Sequence, residues 1–319
     1  LIGEEMKRIL FMIPNLGHGG AEKVLVNLVN HMDKSKFDIT VMTLYDEGVN
    51  KKYLSSEVKY MSCFNRSFPG VGHLLKLLSP KRLYTWLVKD EYDIVVSYLE
   101  GQTARIVSGC KDKHTKKVCW IHRTMTTIED ASRLFRNKKE AVDCYNQFDC
   151  VVSVSKDVEN AFMNLFPLGD KGVILHNTNR TEWIKKCSFE PVNNQIFVND
   201  EVKLCAMGSL IPVKGFDRLM RAHSRLLQDG YSVHTYLLGE GSEMARLQKN
   251  AEDLNILRSI TFLGYQENPY NYLKQCDLFV CSSYSEGLST AVIEALILGI
   301  PVVTTDVSGM REILGDNNE

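Results

Sequence analysis

Short apolar runs recur along the chain, separated by turns rich in glycine, proline or asparagine and by stretches with apolar residues three or four apart. In the first half such runs predict strands at Lys7–Ile13, Phe37–Leu44, Asp93–Tyr98, Lys117–Ile121, Cys150–Val154 and Val173–Leu175. In the second half they fall at Val202–Met207, His234–Leu238, Ile260–Gly264, Leu278–Cys281 and Val302–Val303. Continuous rather than alternating apolar runs suit strands covered on both faces, as in a parallel sheet. Helices are predicted between them. One follows Glu22, with Val24, Leu25, Leu28 and Val29 on its apolar face; another runs from Lys214-Gly215-Phe216-Asp217 to near Gly230. A third covers Ala291–Leu298, capped by Ser289 or Thr290 and stopped by Gly299 and Pro301, and a fourth begins at Met310–Leu314. This alternation predicts an α/β protein of two facing Rossmann-like domains with an interdomain cleft. The turn-rich stretch 177–200, with Pro191, Asn193, Asn194 and Asn199, reads as a linker between domains 1–176 and 201–319.

Bulk properties agree with two domains, since 319 residues exceed what one core usually serves. At 44% hydrophobic and 24% charged, the composition is that of an ordinary globular chain. No apolar run reaches the length of a membrane-spanning helix, and the acid-bearing LIGEEMKRILFMIP start does not resemble a signal peptide. Nine cysteines without a C-x-x-C pair or metal-type spacing read as reduced core thiols of a cytoplasmic protein. A net charge of −1 argues against a nucleic-acid partner. The charge is unevenly spread, however: residues 1–179 carry about +4 and the remainder about −5, so the first half suits an anionic surface or acceptor.

The candidate chemistry centres on Ser285–Val303, SEGLSTAVIEALILGIPVV. A helix beginning just past a strand's carboxyl end presents unpaired N–H groups and the positive end of its dipole, an arrangement that binds phosphate. Glu286 lies in the loop and Glu294 two turns into the helix. A carboxylate accepts hydrogen bonds from hydroxyls, so a phosphate between these two would have a sugar on one side and a ribose on the other. Glu294 also lies within an apolar run, where an incidental carboxylate would be costly. Near the N-terminus, Gly17-His18-Gly19-Gly20-Ala21-Glu22 joins a strand to a helix, but Glu22 stands where the third glycine of a dinucleotide fingerprint belongs. A Rossmann dehydrogenase is therefore disfavoured.

With its Gly-Leu-Ser, Ile-Glu-Ala-Leu and Gly-Ile-Pro-Val-Val neighbours, the Glu286/Glu294 pair resembles the E-x7-E signature of the retaining GT-B glycosyltransferases of family 4 (group 1), of the bacterial polysaccharide and glycolipid type. The resemblance covers nearly the whole chain. It implies a hexosyltransferase-type enzyme moving sugar from a nucleotide diphosphate-sugar to a hydroxyl, with retention of configuration. It further implies that Gly19 and Gly20 lie against the donor phosphates, that His122 contacts the donor sugar near the reacting carbon, and that Lys214 holds the diphosphate. Glu286 would orient the sugar and Glu294 the ribose, with Gly287, Leu288, Ser289 and Thr290 lining the donor site and Gly264 and Tyr265 passing the base. Ser209 stands where the family often has Arg, so one cation of the phosphate clamp is missing or supplied elsewhere. Members usually continue further, so the second domain is expected to be incomplete at its C-terminus.

No cofactor is expected, and no Asp-x-Asp occurs, which fits a metal-independent site in which Lys214 and the helix start after Ser289 stabilise the leaving diphosphate. The acceptor implied is a saccharide or lipid-linked saccharide. Between Arg66 and Lys89, five cations (Arg66, Lys76, Lys81, Arg82 and Lys89) are interleaved with Phe68, Leu74, Leu75, Leu77, Leu78, Leu83, Tyr84, Trp86 and Leu87, without an acid. Two ordinary helices packed on the sheet are the preferred reading. The alternative is peripheral contact with the inner face of a membrane. Two other functions stay open: a non-catalytic partner subunit that binds a sugar nucleotide, and a sugar-nucleotide epimerase of the same fold.

Overall fold

The computed structural model describes residues 6–67, 70–192, 196–197 and 200–315, without the side chain of His73. Phe68, Asn193, Asn194 and Asn199 of the sequence reading lie outside the described residues. The chain divides into two compact units, 1–178 and 179–319.

In the first unit, β1 (Lys7–Ile13), β2 (Phe37–Tyr45), β3 (Lys59–Phe64), β4 (Ile94–Ser97), β5 (Lys116–Ile121), β6 (Cys150–Ser153) and β7 (Gly172–Ile174) form one sheet in the order β3-β2-β1-β4-β5-β6-β7. Every pairing is parallel, with register running from Lys7↔Phe37 to Ile13↔Thr43 on one side of β1 and from Ile9↔Ile94 to Met12↔Ser97 on the other. The strand order turns back between β1 and β4. In open sheets of this kind ligands bind beyond the carboxyl ends of the strands at such a point. Leu25, Val26 and Val29 of α1 (Gly20–His31) cover one face, against Phe11, Ile13, Val41, Val96 and Tyr98.

The second unit repeats the plan with β8 (Val202–Met207), β9 (Val233–Leu238), β10 (Ile260–Gly264), β11 (Leu278–Cys281) and β12 (Val302–Thr304), ordered β10-β9-β8-β11-β12 and all parallel. Here the order turns back between β8 and β11. α9 (Phe216–Gln228) and α10 (Met244–Asp253) bury Phe216, Leu219, Met220, Leu247 and Ala251 on one face of the sheet. The other face is covered by α8 (Thr181–Ser188), α11 (Tyr270–Leu273), α12 (Thr290–Ile297) and α13 (Met310–Leu314).

Two features differ from the sequence reading. The stretch 177–200 is not simply a linker, because it contains α8, whose Ile184 and Cys187 are buried in the core of the second unit. The division falls instead at 178/179. The sequence reading also leaves out β3. Its residues, KYMSCF, lie at the sheet edge, largely exposed or half-buried, and so lack a continuous apolar run. Between Arg66 and Lys89 the chain forms two short helices, α2 (Val71–Lys76) and α3 (Pro80–Leu87). Leu75 and Leu83 are buried, while Leu74, Leu77 and Trp86 remain 57%, 74% and 49% exposed. The remaining first-unit helices are α4 (Gln102–Val107), α5 (Ile128–Ser132), α6 (Lys138–Asn146) and α7 (Lys156–Leu165).

Candidate active site

At the turning point of the second sheet, the loops after β8 and β11 are bound to each other. Tyr284 N–H donates to the Val213 carbonyl (2.8 Å), and Ser282 Oγ donates to the Lys214 carbonyl (3.2 Å). Gly215 has φ +63°, and a Cβ there would sit 2.1 Å from the Ser282 carbonyl oxygen, so the approach requires glycine on two counts. This contact brings together two residues far apart in sequence. Lys214 Nζ donates to both carboxylate oxygens of Glu286 at 2.7 and 2.8 Å, and Ser283 Oγ donates to Oε1 at 2.6 Å. The Glu286 side chain is 9% exposed and that of Lys214 27%, so the pair is largely withdrawn from water.

Four residues after Glu286, α12 begins. Ser289 is its N-cap, accepting from Val292 N–H (3.5 Å), and Thr290 is the first helical residue. Gly287, Leu288 and Ser289 are buried. A Cβ on Gly309 (φ +78°) would meet the Gly287 carbonyl at 2.5 Å, so the turn before α13 packs tightly against this loop. Glu294, 4% exposed, lies on the buried side of α12 and accepts from Tyr270 Oη at 3.0 Å. Burial first, and then the charge of Glu294, raise the Tyr270 hydroxyl's pKa, so it stays a donor to the carboxylate. Neither carboxylate points into bulk water.

The glycines that end the neighbouring strands also converge. Gly208 N–H donates to the Leu238 carbonyl (3.0 Å) and Gly239 N–H to the Gly264 carbonyl (2.8 Å). Gly239 has φ +136°, and a Cβ there would lie 1.9 Å from the Gly208 carbonyl oxygen. Ser209 is half-buried in this rim, and Tyr265 follows Gly264 with its N–H 3.4 Å from Glu240 Oε1. Ser209, Lys214, Gly264, Tyr265 and the 286–290 loop thus all lie at or just beyond the carboxyl edge of one sheet, with Glu294 about one turn into α12.

Gly19, Gly20 and His122 belong to the first unit. Gly19 is the N-cap of α1 and Gly20 its first residue, in the loop after β1. His122 follows β5, and its backbone N–H donates to Glu100 Oε2 at 3.0 Å. Glu100 Oε1 also meets Arg123 Nε at 3.1 Å. Burial holds the imidazole of His122 neutral, its pKa lowered to about 3. Burial likewise raises the carboxyl pKa of Glu22, in the first turn of α1, and that of Glu100. The ring of Tyr98, which follows β4, packs 4.8 Å from that of His122.

Sequence reasoning missed Ser283, Tyr270 and Tyr98 as members of these clusters. Ser283 stands three residues before Glu286 and had a local signal, a hydroxyl in the same loop. Tyr270 had none, since its partner is 24 positions away.

Two all-parallel sheets with alternating helices, each with its loops gathered at a turning point, make up the two-domain α/β architecture of the GT-B fold. The family models settle the class. The model for Glycosyltransferase Family 4 matches residues 18–182 and that for Glycosyl transferases group 1 matches residues 190–319, so the chain belongs to the group 1 glycosyltransferases. It is 27% identical, over 98% of its own length and 84% of the relative's, to the N-acetylgalactosamine-N,N'-diacetylbacillosaminyl-diphospho-undecaprenol 4-alpha-N-acetylgalactosaminyltransferase of Campylobacter jejuni. A lipopolysaccharide core biosynthesis glycosyltransferase of Rhizobium meliloti, LpsE, is 34% identical over 37% of this chain and 33% of its own. In fold the chain is similar to Anabaena HepE, solved with UDP and glucose: TM-score 0.75 and 18% identity, covering 96% of this chain and 83% of that one.

Proposed function

We propose that the protein transfers a sugar, with retention and without a metal ion, from a nucleotide diphosphate-sugar to a hydroxyl of a saccharide or lipid-linked saccharide. The observation that carries this reading is the meeting of Lys214 with Glu286 just before the N-terminus of α12. A cation and free helix N–H groups can take up the charge that develops as the bond from anomeric carbon to diphosphate breaks. The acceptor oxygen then bonds to that carbon and its proton is released. Glu286 receives sugar hydroxyls, Glu294 the ribose, and the neutral imidazole of His122 the reacting end of the sugar. Gly264 and Tyr265 border the base, and Gly19, Gly20, Ser209 and Gly287 to Thr290 give the phosphates close access to backbone. The Campylobacter relative's name, with its diphospho-undecaprenol acceptor, supports a lipid-linked acceptor.

Peripheral contact with an anionic membrane is part of the same proposal. Exposed Leu74, Leu77 and Trp86 lie among Lys81, Arg82 and Lys89 on α2 and α3 and just beyond, and no helix among the described residues is long and apolar enough to cross a membrane.

The test is a panel of nucleotide-sugars scored by the rise in melting temperature, followed by acceptor-dependent release of nucleoside diphosphate and NMR of the new anomeric centre. Release that needs acceptor and falls at least about tenfold in Glu286→Gln supports a transferase. Conversion of one nucleotide-sugar into its epimer without acceptor would make the protein an epimerase. Binding without turnover, with Glu286→Gln changing nothing but the affinity, would make it a non-catalytic partner.

A further inference from the structure

Three buried polar atoms of the first unit, Tyr98 Oη, Trp120 Nε1 and His122 Nε2, are sealed from solvent and have no hydrogen-bond partner among the described residues. Leaving such a group unpaired costs about 1–3 kcal/mol, so three together call for an explanation. Three other buried polar aromatic residues are satisfied. Tyr145 Oη accepts from Gly101 N–H, Tyr270 Oη donates to Glu294, and both ring nitrogens of His223 have hydroxyl partners. The three atoms also belong together. Ser97 pairs with Cys119, which sets Tyr98 beside Trp120, and the two-residue period of a strand puts Trp120 and His122 on one face. Ring centroids are 4.9 Å apart for Tyr98–Trp120, 4.8 Å for Tyr98–His122 and 6.2 Å for Trp120–His122, the last pair nearly parallel at 18°. The cluster stands at the carboxyl edge of β4 and β5, beside the sheet's turning point.

The chemistry of the set selects its ligand. An indole N–H only donates, whereas a neutral imidazole Nε2 and a phenol can each accept or donate. All three can donate, so the group that satisfies them brings lone pairs, and a hydroxyl supplies these without a charge. Carboxylate and phosphate could accept the same bonds, but here they would face further acid. Glu100 accepts the His122 backbone N–H, and the charge of Glu22 acts on the Tyr98 hydroxyl. A neutral, hydroxyl-rich ligand fits and an anion does not.

We propose that Tyr98 and Trp120, together with His122, form a recognition pocket for the hydroxyls of a sugar, and that Tyr98 and Trp120 are specificity determinants of the transfer. This rests on the transferase reading above, and the sugar is either that of the donor or that of the acceptor. Tyr98→Phe removes one oxygen and keeps the ring. Trp120→Phe removes the indole donor.

Calorimetric titration with UDP-glucose, UDP-galactose, UDP-N-acetylglucosamine, UDP-N-acetylgalactosamine and bare UDP separates the sources. If the donor sugar fills the pocket, each variant raises the Kd of the preferred nucleotide-sugar roughly 5- to 30-fold and leaves that of UDP unchanged. If the acceptor fills it, donor binding stays constant and the acceptor KM rises by a similar factor at unchanged kcat. The pocket is refuted if Tyr98→Phe, melting at the same temperature as the unaltered protein, changes neither value by more than about twofold, the signature of buried water in its place. Failure of the unaltered protein to bind any nucleotide-sugar would remove the transferase reading and the pocket with it.

Discussion

Replacing Glu286 by glutamine should separate two effects that the ion pair with Lys214 holds together. In the unliganded site the ammonium lies 2.7 and 2.8 Å from the two carboxylate oxygens. At an effective dielectric constant of about 20 their attraction is about 6 kcal/mol before desolvation. Withdrawing both groups from water offsets most of this, leaving a net coupling of about 1–2 kcal/mol. Glutamine keeps the shape and can still accept from Ser283 Oγ, but the charge is gone. Lys214 is then no longer neutralised, so bare UDP or GDP should bind roughly five- to tenfold more tightly. Turnover should move the other way. A hydrogen bond to a charged group is worth about 1.5–3 kcal/mol, so losing the anionic acceptor for the sugar should cost roughly 10- to 100-fold in rate. Calorimetry with UDP and GDP and an assay of nucleoside diphosphate release read the two arms separately. Weaker nucleoside diphosphate binding in Glu286→Gln, or undiminished turnover, would refute the reasoning.

Three further outcomes are expected. Arg105 is buried, donating to both oxygens of Glu140 (2.8 and 3.0 Å) and to the carbonyls of Leu75 and Leu78, so it ties α4, α6 and the end of α2 together. Arg105→Met should cost about 3–5 kcal/mol by orphaning these acceptors, and adding Glu140→Leu should restore part of it; a loss under about 1 kcal/mol in denaturant melts would contradict this. His223 is fully buried with both ring nitrogens bonded, and burial first, then His234, lower its pKa to about 4. The unfolded chain takes up a proton near pH 6.5 that the folded one refuses, so stability is full above that pH and falls by roughly 3 kcal/mol toward pH 4. Melting curves between pH 4 and 7 should show this slope, and His223→Gln should flatten it. Gly215→Ala should weaken nucleotide-sugar binding at least tenfold by forcing the Ser282 carbonyl away. Gly230→Ala, also at positive φ but with open space around it, should cost only about 1 kcal/mol of backbone strain and leave binding unchanged.

Much of this protein is written locally. Runs such as KRILFMI, buried from Ile9 to Ile13, could only be covered strands, and Ser289, Gly299 and Pro301 delimit α12 to within a residue or two. The Glu286–Glu294 spacing in its Gly-Leu-Ser frame carried the family, because loop, cap and helix face are all set within a few residues. What sequence could not supply was assembled across distance. Lys214 and Glu286 are 72 positions apart and meet because the order of the second sheet sets β8 beside β11. Tyr270 reaches Glu294 only because α11 and α12 cover the same face, and α8 looks like a linker until that face needs covering. Tyr98 and Trp120 are plain strand aromatics in the sequence. Only the pairing of β4 with β5 sets their rings side by side, because register between strands is fixed by the packing of the whole sheet and not by the residues on either side.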